Sequence, residues 1–351
     1  MPLLARLLPA PLAVDVRRGA IAGLGALLAD RRIATEGRVA VAVGPGPHGT
    51  GIAARLEIDD AVVFRVPEGT VDGAVHLGKR LRAGAYEAVA GIGGGRTIDV
   101  TKFAANMAGI PMVSVATNLA HDGIASPVSS LEHESGKSSY GVSPPVGVVV
   151  DLDSVRTAPA RMVRSGIGDV VSNLSAIADW ELAGADTGEP IDGLAVTLAG
   201  CAAQAVLHQP GSADGDGFRT VLAEALILSG VAMTVAGSSR PCSGGDHEIL
   251  HAIDQLYPGA GTHGELAGLG ALFCACLRED AGGAALLSAC LARHGLPRTP
   301  AELGLSPADF TKAVLSAPGT RPGRYTILER LGLSEVQAAA RVEEYARSFA
   351  G

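Results

Sequence analysis

The stretch AVAGIGGGRTIDVTKFAA, residues 88–105, passes from an apolar, strand-like run through three consecutive glycines into a segment with helical patterning. Strand, glycine turn and helix in that order make the first half of a βαβ unit, the building block of a parallel sheet. Glycine at such a turn lets backbone N–H groups approach a phosphate that a Cβ would hold away, and the helix N-terminus adds partial positive charge. The spacing matches neither GxGxxG nor a loop ending in Gly-Lys-Ser/Thr. A tight strand-to-helix turn without a ligand is the plain alternative.

Similar runs flank this one. RVAVAVG (38–44), AVVFRVP (61–67) and PMVSVAT (111–117) are short, mostly Val-rich and bounded by Gly or Pro, with helix-like segments Val71–Ala83 and Thr97–Ala108 between them. After PPVGVVVDLD (144–153) the strands stop, and from Pro159 onward the chain reads as consecutive helices. A length of 351 residues suggests about two domains. The expected fold is therefore α/β, with a Rossmann-like parallel-sheet domain over residues 1–155 and an all-helical domain over 156–351.

Composition narrows the function. Aromatics are 3% of the chain, too few for a nucleic-acid reader built on stacking, and 28 Lys plus Arg against 36 Asp plus Glu leave a formal charge of −8. An anionic substrate must then be held by a local positive site. Five scattered cysteines make no disulfide framework and suit a reducing cytoplasm. The opening MPLLARLLPAPLAV is interrupted by Arg6, Pro9 and Pro11 and lacks a basic region ahead of it, which makes a poor signal peptide. The apolar run Leu222–Ser239 contains Glu224 and reads as a buried helix, so no membrane span is expected.

Titratable residues concentrate in GGDHEILHAIDQLYPGAGTHGE (244–265), which holds three of the nine histidines. His247 and His251 are four apart and share a helix face. The Gly259–Gly261 segment could swing His263 back toward them, and two imidazoles call for a third ligand. Asp169 follows a Gly-Ile-Gly segment where a helix should begin, as a carboxylate ligand or as a helix cap. Asp179 and Glu181 read as surface charges. In SVATNLAHDGIASPVSS (114–130), Thr117, Asn118, His121, Asp122 and Ser126 follow a strand end, where parallel sheets face their ligands.

The ordered set GGGRTIDVTKFAA, AHDGIASPVSS, GIGDVVSNLSAIADWELA, SRPCSGGDHEILHAID, HGE and RPGRYTILERL covers nearly the whole chain. It resembles the glycerol-1-phosphate dehydrogenase branch of the iron-containing alcohol dehydrogenase and dehydroquinate synthase superfamily. The resemblance implies a dehydroquinate synthase-like fold with one divalent metal, zinc by preference and nickel or iron as options, on Asp169, His247 and His263. It implies NAD(P) along Gly93, Gly94, Gly95, Arg96, Thr97, Ile98, Asp99, Thr117, Asn118, Leu119, Ala120 and Ser126. It also implies that His251, Asp122 and Asp169 contact substrate and take part in catalysis. Cys242 and the turn TNLA depart from the branch's usual residues, and Cys242 reads as a small buried substitution or a soft extra ligand.

The activity implied is reversible, NAD(P)H-linked reduction of dihydroxyacetone phosphate. Its partners would be a small phosphorylated ketone or polyol and further copies of the chain, with no nucleic acid and no membrane. Arg240 is the first candidate for the substrate phosphate, ahead of Arg161, Arg164 and Lys137. The alternatives are a sugar-phosphate cyclase, a dehydrogenase of another polyol or phosphonate, and a binding protein that kept the fold.

Overall fold

The computed structural model describes residues 10–35, 37–45, 51–52, 61–134 and 136–349. Most of the opening apolar stretch, residues 1–9, lies outside them. The chain divides into two compact units, Met1–Pro159 and Ala160–Gly351.

In the first unit six strands form one parallel sheet: β1 (Ala13–Arg17), β2 (Val39–Val43), β3 (Val62–Arg65), β4 (Ala88–Gly93), β5 (Met112–Ala116) and β8 (Gly147–Asp151), in the order β1-β8-β5-β4-β2-β3. Strands β4, β5 and β8 are buried along their whole length. A parallel strand covered on both faces has no polar side, which is why these segments read as unbroken apolar runs. Alternate residues Val41, Val43, Ala90, Ile92, Val113, Val115 and Val149 pack with Ala20, Leu24 and Leu28 of the α1 region (α1, Leu24–Leu28) on one face. Helices α2 (Val71–Ala83) and α3 (Gly95–Ala108) pack against each other, and α3 also lies against β4 and β5.

From β2 the chain steps outward to β3, then returns to place β4 on the other flank of β2. The order reverses between β2 and β4, and ligands of open α/β sheets bind outside the strand C-termini at such a point. The pairing of Val43 with Ile92 brings Gly44 and Gly93 side by side there.

Two strand elements are absent from the sequence reading. The edge strand β1 pairs with β8, Val14 opposite Val148. A two-stranded antiparallel ribbon, β6 (Val128–His133) with β7 (Gly136–Gly141), grows out of the loop that follows β5.

The second unit is helical. Its elements, after α4 (Leu152–Thr157) has ended the first unit, are α5 (Ala160–Thr187), α6 (Gly193–His208), α7 (Asp216–Ala236), α8 (Gly245–Leu256), α9 (His263–Leu277), α10 (Ala281–Arg293), α11 (Pro307–Ser316), α12 (Ile327–Leu331) and α13 (Glu335–Phe349). Helix α7 is long and apolar enough to cross a membrane, but 67% of its most apolar window is buried inside the unit, with Leu222, Ala223 and Leu226 in the core. None of the five cysteines forms a disulfide.

The segment Gly166-Ile167-Gly168 corrects the sequence reading. No helix begins there; it lies inside the 28-residue α5. Glycine is needed at 168 because α9 crosses α5 backbone to backbone: a Cβ on Gly168 would stand 2.0 Å from the Gly264 carbonyl oxygen, and one on Gly264 would stand 1.6 Å from that of Ser165. The Gly264 N–H donates to Ser165 Oγ at 3.0 Å.

Candidate metal centre and dinucleotide turn

That crossing sets the ligand geometry. Asp169 lies one residue beyond Gly168 on α5, and His263 is the first residue of α9, next to Gly264. Thr262 caps α9 in a capping box with Glu265, and Arg161 of α5 donates to Glu265 through Nε and Nη2, at 3.1 and 2.7 Å to Oε2. This staple fixes the first turn of α9 and therefore His263. His247 comes from the first turn of α8.

The three side chains converge. His263 Nε2 lies 3.3 Å from Asp169 Oδ1 and His247 Nε2 lies 3.7 Å from the same oxygen; the three donor atoms are all within 4.8 Å of one another. For metal–ligand bonds of about 2.0–2.1 Å, the edge of a tetrahedron is about 3.4 Å, so a zinc-sized ion fits between these atoms. Asp169 and His247 are buried, while His263 keeps part of its surface open. Burial disfavours the Asp169 carboxylate, but hydrogen bonds and charge from His247 and His263 outweigh it and hold the carboxyl well below the usual range. His247 is pushed up to about 9, because Asp246 and Asp169 beside it outweigh the burial that disfavours its cation. One carboxylate and two imidazoles turned inward are the donor set of a divalent metal site.

Asp246, which sequence reasoning missed, orients this set. Its Oδ2 is bonded to His247 Nδ1 and its Oδ1 accepts the Gly244 N–H at 3.1 Å. A carboxylate on one ring nitrogen fixes the tautomer that leaves the other free for a metal. The signal was available as a carboxylate immediately before a candidate ligand. Asp179, read as a surface charge, is fully buried: it accepts the N–H of Gly245 at 2.8 Å and of Ile327 at 2.9 Å and pairs with Arg278 at 2.8 Å. It is the foreign cap of α8, the helix that carries His247.

His251 stands one turn along α8, its ring 6.4 Å from that of His247. Its Nε2 lies 2.9 Å from Arg321 Nη2. A guanidinium only donates, so this nitrogen accepts and the neutral ring carries its proton on Nδ1. Arg240 has a different position from the one expected. It is buried, donates through Nε to Glu189 at 2.7 Å and through Nη2 to the same carboxylate, and gives Nη1 to the Tyr325 carbonyl at 2.9 Å. Cys242 is a core residue whose thiol donates to the Ser229 carbonyl at 3.4 Å. Arg161 is held by Glu265, and Arg164 stands beside Arg161 in a surface cleft.

In the first unit the glycine turn and the loop after β5 are brought together. Gly94 precedes α3 without a side-chain cap, and no acidic residue occupies the first turn. The first N–H groups of a helix have no partner within it, so those of Gly95, Arg96 and Thr97 suit a diphosphate. A Cβ on Gly94 would lie 2.5 Å from Asn118 Nδ2, and one on Gly95 2.1 Å from His121 Nε2. Thr97 sits between Gly44 and Gly93, with its Oγ1 2.7 Å from where a Cβ on either would be. Ile98 and Leu119 are wholly buried beneath the turn, and Ser126 is also buried. Thr117 and Ala120 lie on the same loop, and Asp122 opens a short 3-10 turn capped by His121.

Lys102, another residue the sequence reading passed over, ties these parts together. Its ammonium is buried, pairs with Asp99 Oδ1 at 3.0 Å, and donates to the carbonyls of Ser126 (3.2 Å) and Val128. Lys137, in strand β7, is exposed. Replacing Gly94 with valine is expected to displace Asn118 and narrow the approach to the α3 N-terminus. Dinucleotide affinity, measured by fluorescence titration, should then fall at least about tenfold, the equivalent of one charge-assisted hydrogen bond, with metal content unchanged. Wild-type affinity in a folded variant would mean that the turn has no part in binding.

The comparisons bear on the family and the fold. The family model for iron-containing alcohol dehydrogenase matches residues 15–159. A glycerol-1-phosphate dehydrogenase [NAD(P)+] of Cenarchaeum symbiosum is 45% identical over 252 residues, 71% of this chain and 70% of that one. That of Methanothermobacter thermautotrophicus is 36% identical over 332 residues, 92% of this chain and 93% of its own. Among solved structures, a probable glycerol dehydrogenase from Sinorhizobium meliloti 1021 superposes with a TM-score of 0.78 at 21% identity, covering 99% of both chains, which speaks to the fold. A glycerol dehydrogenase from Schizosaccharomyces pombe gives 0.76 at 19% identity, covering 98% of this chain and 92% of that one. With a parallel sheet, a helical unit and relatives 36–45% identical over 70–93% of their own length, the chain belongs to the glycerol-1-phosphate dehydrogenase family of the iron-containing alcohol dehydrogenases.

Proposed function

We propose that this protein catalyses the reversible reduction of dihydroxyacetone phosphate to sn-glycerol 1-phosphate with NAD(P)H. The observation that carries the reading is the convergence of Asp169, His247 and His263 in a chain whose relatives are named for that activity. A divalent ion, zinc by preference, would polarise the substrate's carbonyl oxygen, and the nicotinamide would supply the hydride.

The chain's own residues supply holding, orientation and a proton. Asp246 keeps His247 in the ligating tautomer, and the Arg161–Glu265 staple keeps His263 in place. The backbone N–H groups at the start of α3 would bind the dinucleotide's diphosphate, with Thr97 and Asn118 beside them. His251 would be the general acid: as an imidazolium it would pass a proton to the substrate oxygen as the hydride arrives and end neutral, the state in which its Nε2 accepts from Arg321.

The test is NAD(P)H oxidation by the metal-loaded protein with dihydroxyacetone phosphate. One cofactor should be consumed per substrate, the product should be the sn-1 ester, and no inorganic phosphate should be released. Phosphate release without net cofactor consumption would mean a cyclase instead, and no turnover with the substrate bound would mean a binding protein.

A further inference from the structure

We propose that Arg321 and Arg324, converging on Ser239, form the seat of the substrate's phosphate group, beside His251. This deepens the function proposed above and rests on it.

Four buried or half-buried arginines of the second unit differ in their partners. Arg278 pairs with Asp179, and Arg240 with Glu189. Arg321 and Arg324 meet no carboxylate at ion-pair distance among the described residues. They share one neutral oxygen: Arg321 Nη1 donates to Ser239 Oγ at 3.1 Å and Arg324 Nη2 donates to it at 3.0 Å. Their remaining contacts are also uncharged, Arg321 to His251 Nε2 at 2.9 Å and Arg324 to the Ser243 carbonyl.

Two guanidiniums side by side, half-buried and without a carboxylate at ion-pair distance, are costly to keep in a fold unless an anion joins them. Arg324 is drawn down to about 10 by burial and by the nearby charges of Arg321 and Arg240, and burial lowers Arg321 as well. Asp246 and Glu248 attract both from beyond ion-pair distance. Each arginine nevertheless keeps part of its surface open. A tetrahedral oxyanion can accept from both planar forks and from the serine hydroxyl at once. The pair adjoins His251, whose ring is 6.4 Å from that of His247, so an anion seated there is a short molecule's length from the metal ligands. This is the local positive site that a chain of charge −8 needs for an anionic substrate.

The experiment titrates inorganic phosphate calorimetrically into metal-loaded protein saturated with NAD(P)H, so that the glycine turn is already filled. It compares wild type, Arg324→Met and the charge-conserving Arg321→Lys. Loss of a charge-assisted fork should weaken phosphate about 10–100-fold. The preference in kcat/KM for dihydroxyacetone phosphate over dihydroxyacetone should fall by a similar factor, with metal content retained. If Arg324→Met does not fold, Arg321→Lys carries the test. Wild-type phosphate affinity and preference in the folded variants overturns the seat while the proposed function stands. If wild type reduces no dihydroxyacetone phosphate but its phosphate binding still depends on these arginines, the function fails and the anion seat survives.

Discussion

A His247→Ala protein is expected to leave purification without metal and without reductase activity, still folded and still binding dinucleotide. Among the described residues His247 is one of three donors, and the two that remain are an aspartate and a partly open imidazole. Losing an outer partner of a metal-bound histidine already costs about 10–100-fold in affinity. Losing the imidazole itself should cost more, and Asp246→Asn should fall within that smaller range. The same outcome is expected for His263→Ala. Dinucleotide binding should persist in all three, because the residues proposed for it belong to the other unit. Metal analysis of the purified proteins beside the reductase assay checks the result; stoichiometric metal in both histidine variants would remove the centre as assigned.

Gly264→Ala should damage both stability and metal binding, although it adds a single methyl group. The new Cβ would stand 1.6 Å from the Ser165 carbonyl oxygen and 2.9 Å from the Asp169 amide nitrogen. These are backbone atoms of a long helix and cannot rotate away, so α5 and α9 must separate. Overpacking a tight core costs about 1–3 kcal/mol and occasionally more. With no side chain to yield, the upper end is expected here, about 3 kcal/mol, which for a unit of this size is roughly 6–12 °C in Tm. Separating the helices also pulls Asp169 from His263, so metal affinity should drop with it. Gly193→Ala is the control: the site is exposed, nothing lies near its added Cβ, and the change should stay within about 0.5 kcal/mol. Calorimetry and metal titration of the two variants decide, and a Gly264→Ala protein as stable as the control would mean that the crossing can relax.

The sheet was legible because its central strands are buried on both faces and so consist of apolar runs punctuated by glycine. The ribbon of β6 and β7 was not, since SSLEHESGKSSY is mostly polar and, among its described residues, only Leu131 and Ser129 are fully covered. Strand β1 was hidden behind the apolar, proline-broken opening. The histidines announced themselves by their spacing. Asp169 was read as a ligand from the wrong local structure, because a glycine inside a helix looks like a turn until its packing partner 96 positions later is known. Asp179 looked exposed because its partners Gly245, Arg278 and Ile327 are distant in sequence. The arginine pair has the same cause: neither Arg321 nor Arg324 marks its environment locally.

Two of the three candidate ligands leave the first turns of helices, His247 from α8 and His263 from α9. Each helix start carries roughly half a positive elementary charge. Such ends repel a bare dication, and the buried carboxylates of Asp169 and Asp246 are the counterweight that makes the place habitable for one. In the proposed reaction the balance changes, because a substrate oxygen there would take on negative charge. Both helix ends then attract it, more strongly than they attract the ketone before reaction, and this requires no side chain to move. The backbone dipoles thus oppose the cation and favour the alkoxide, so part of the preference for the reaction's charged species is built into where two helices begin.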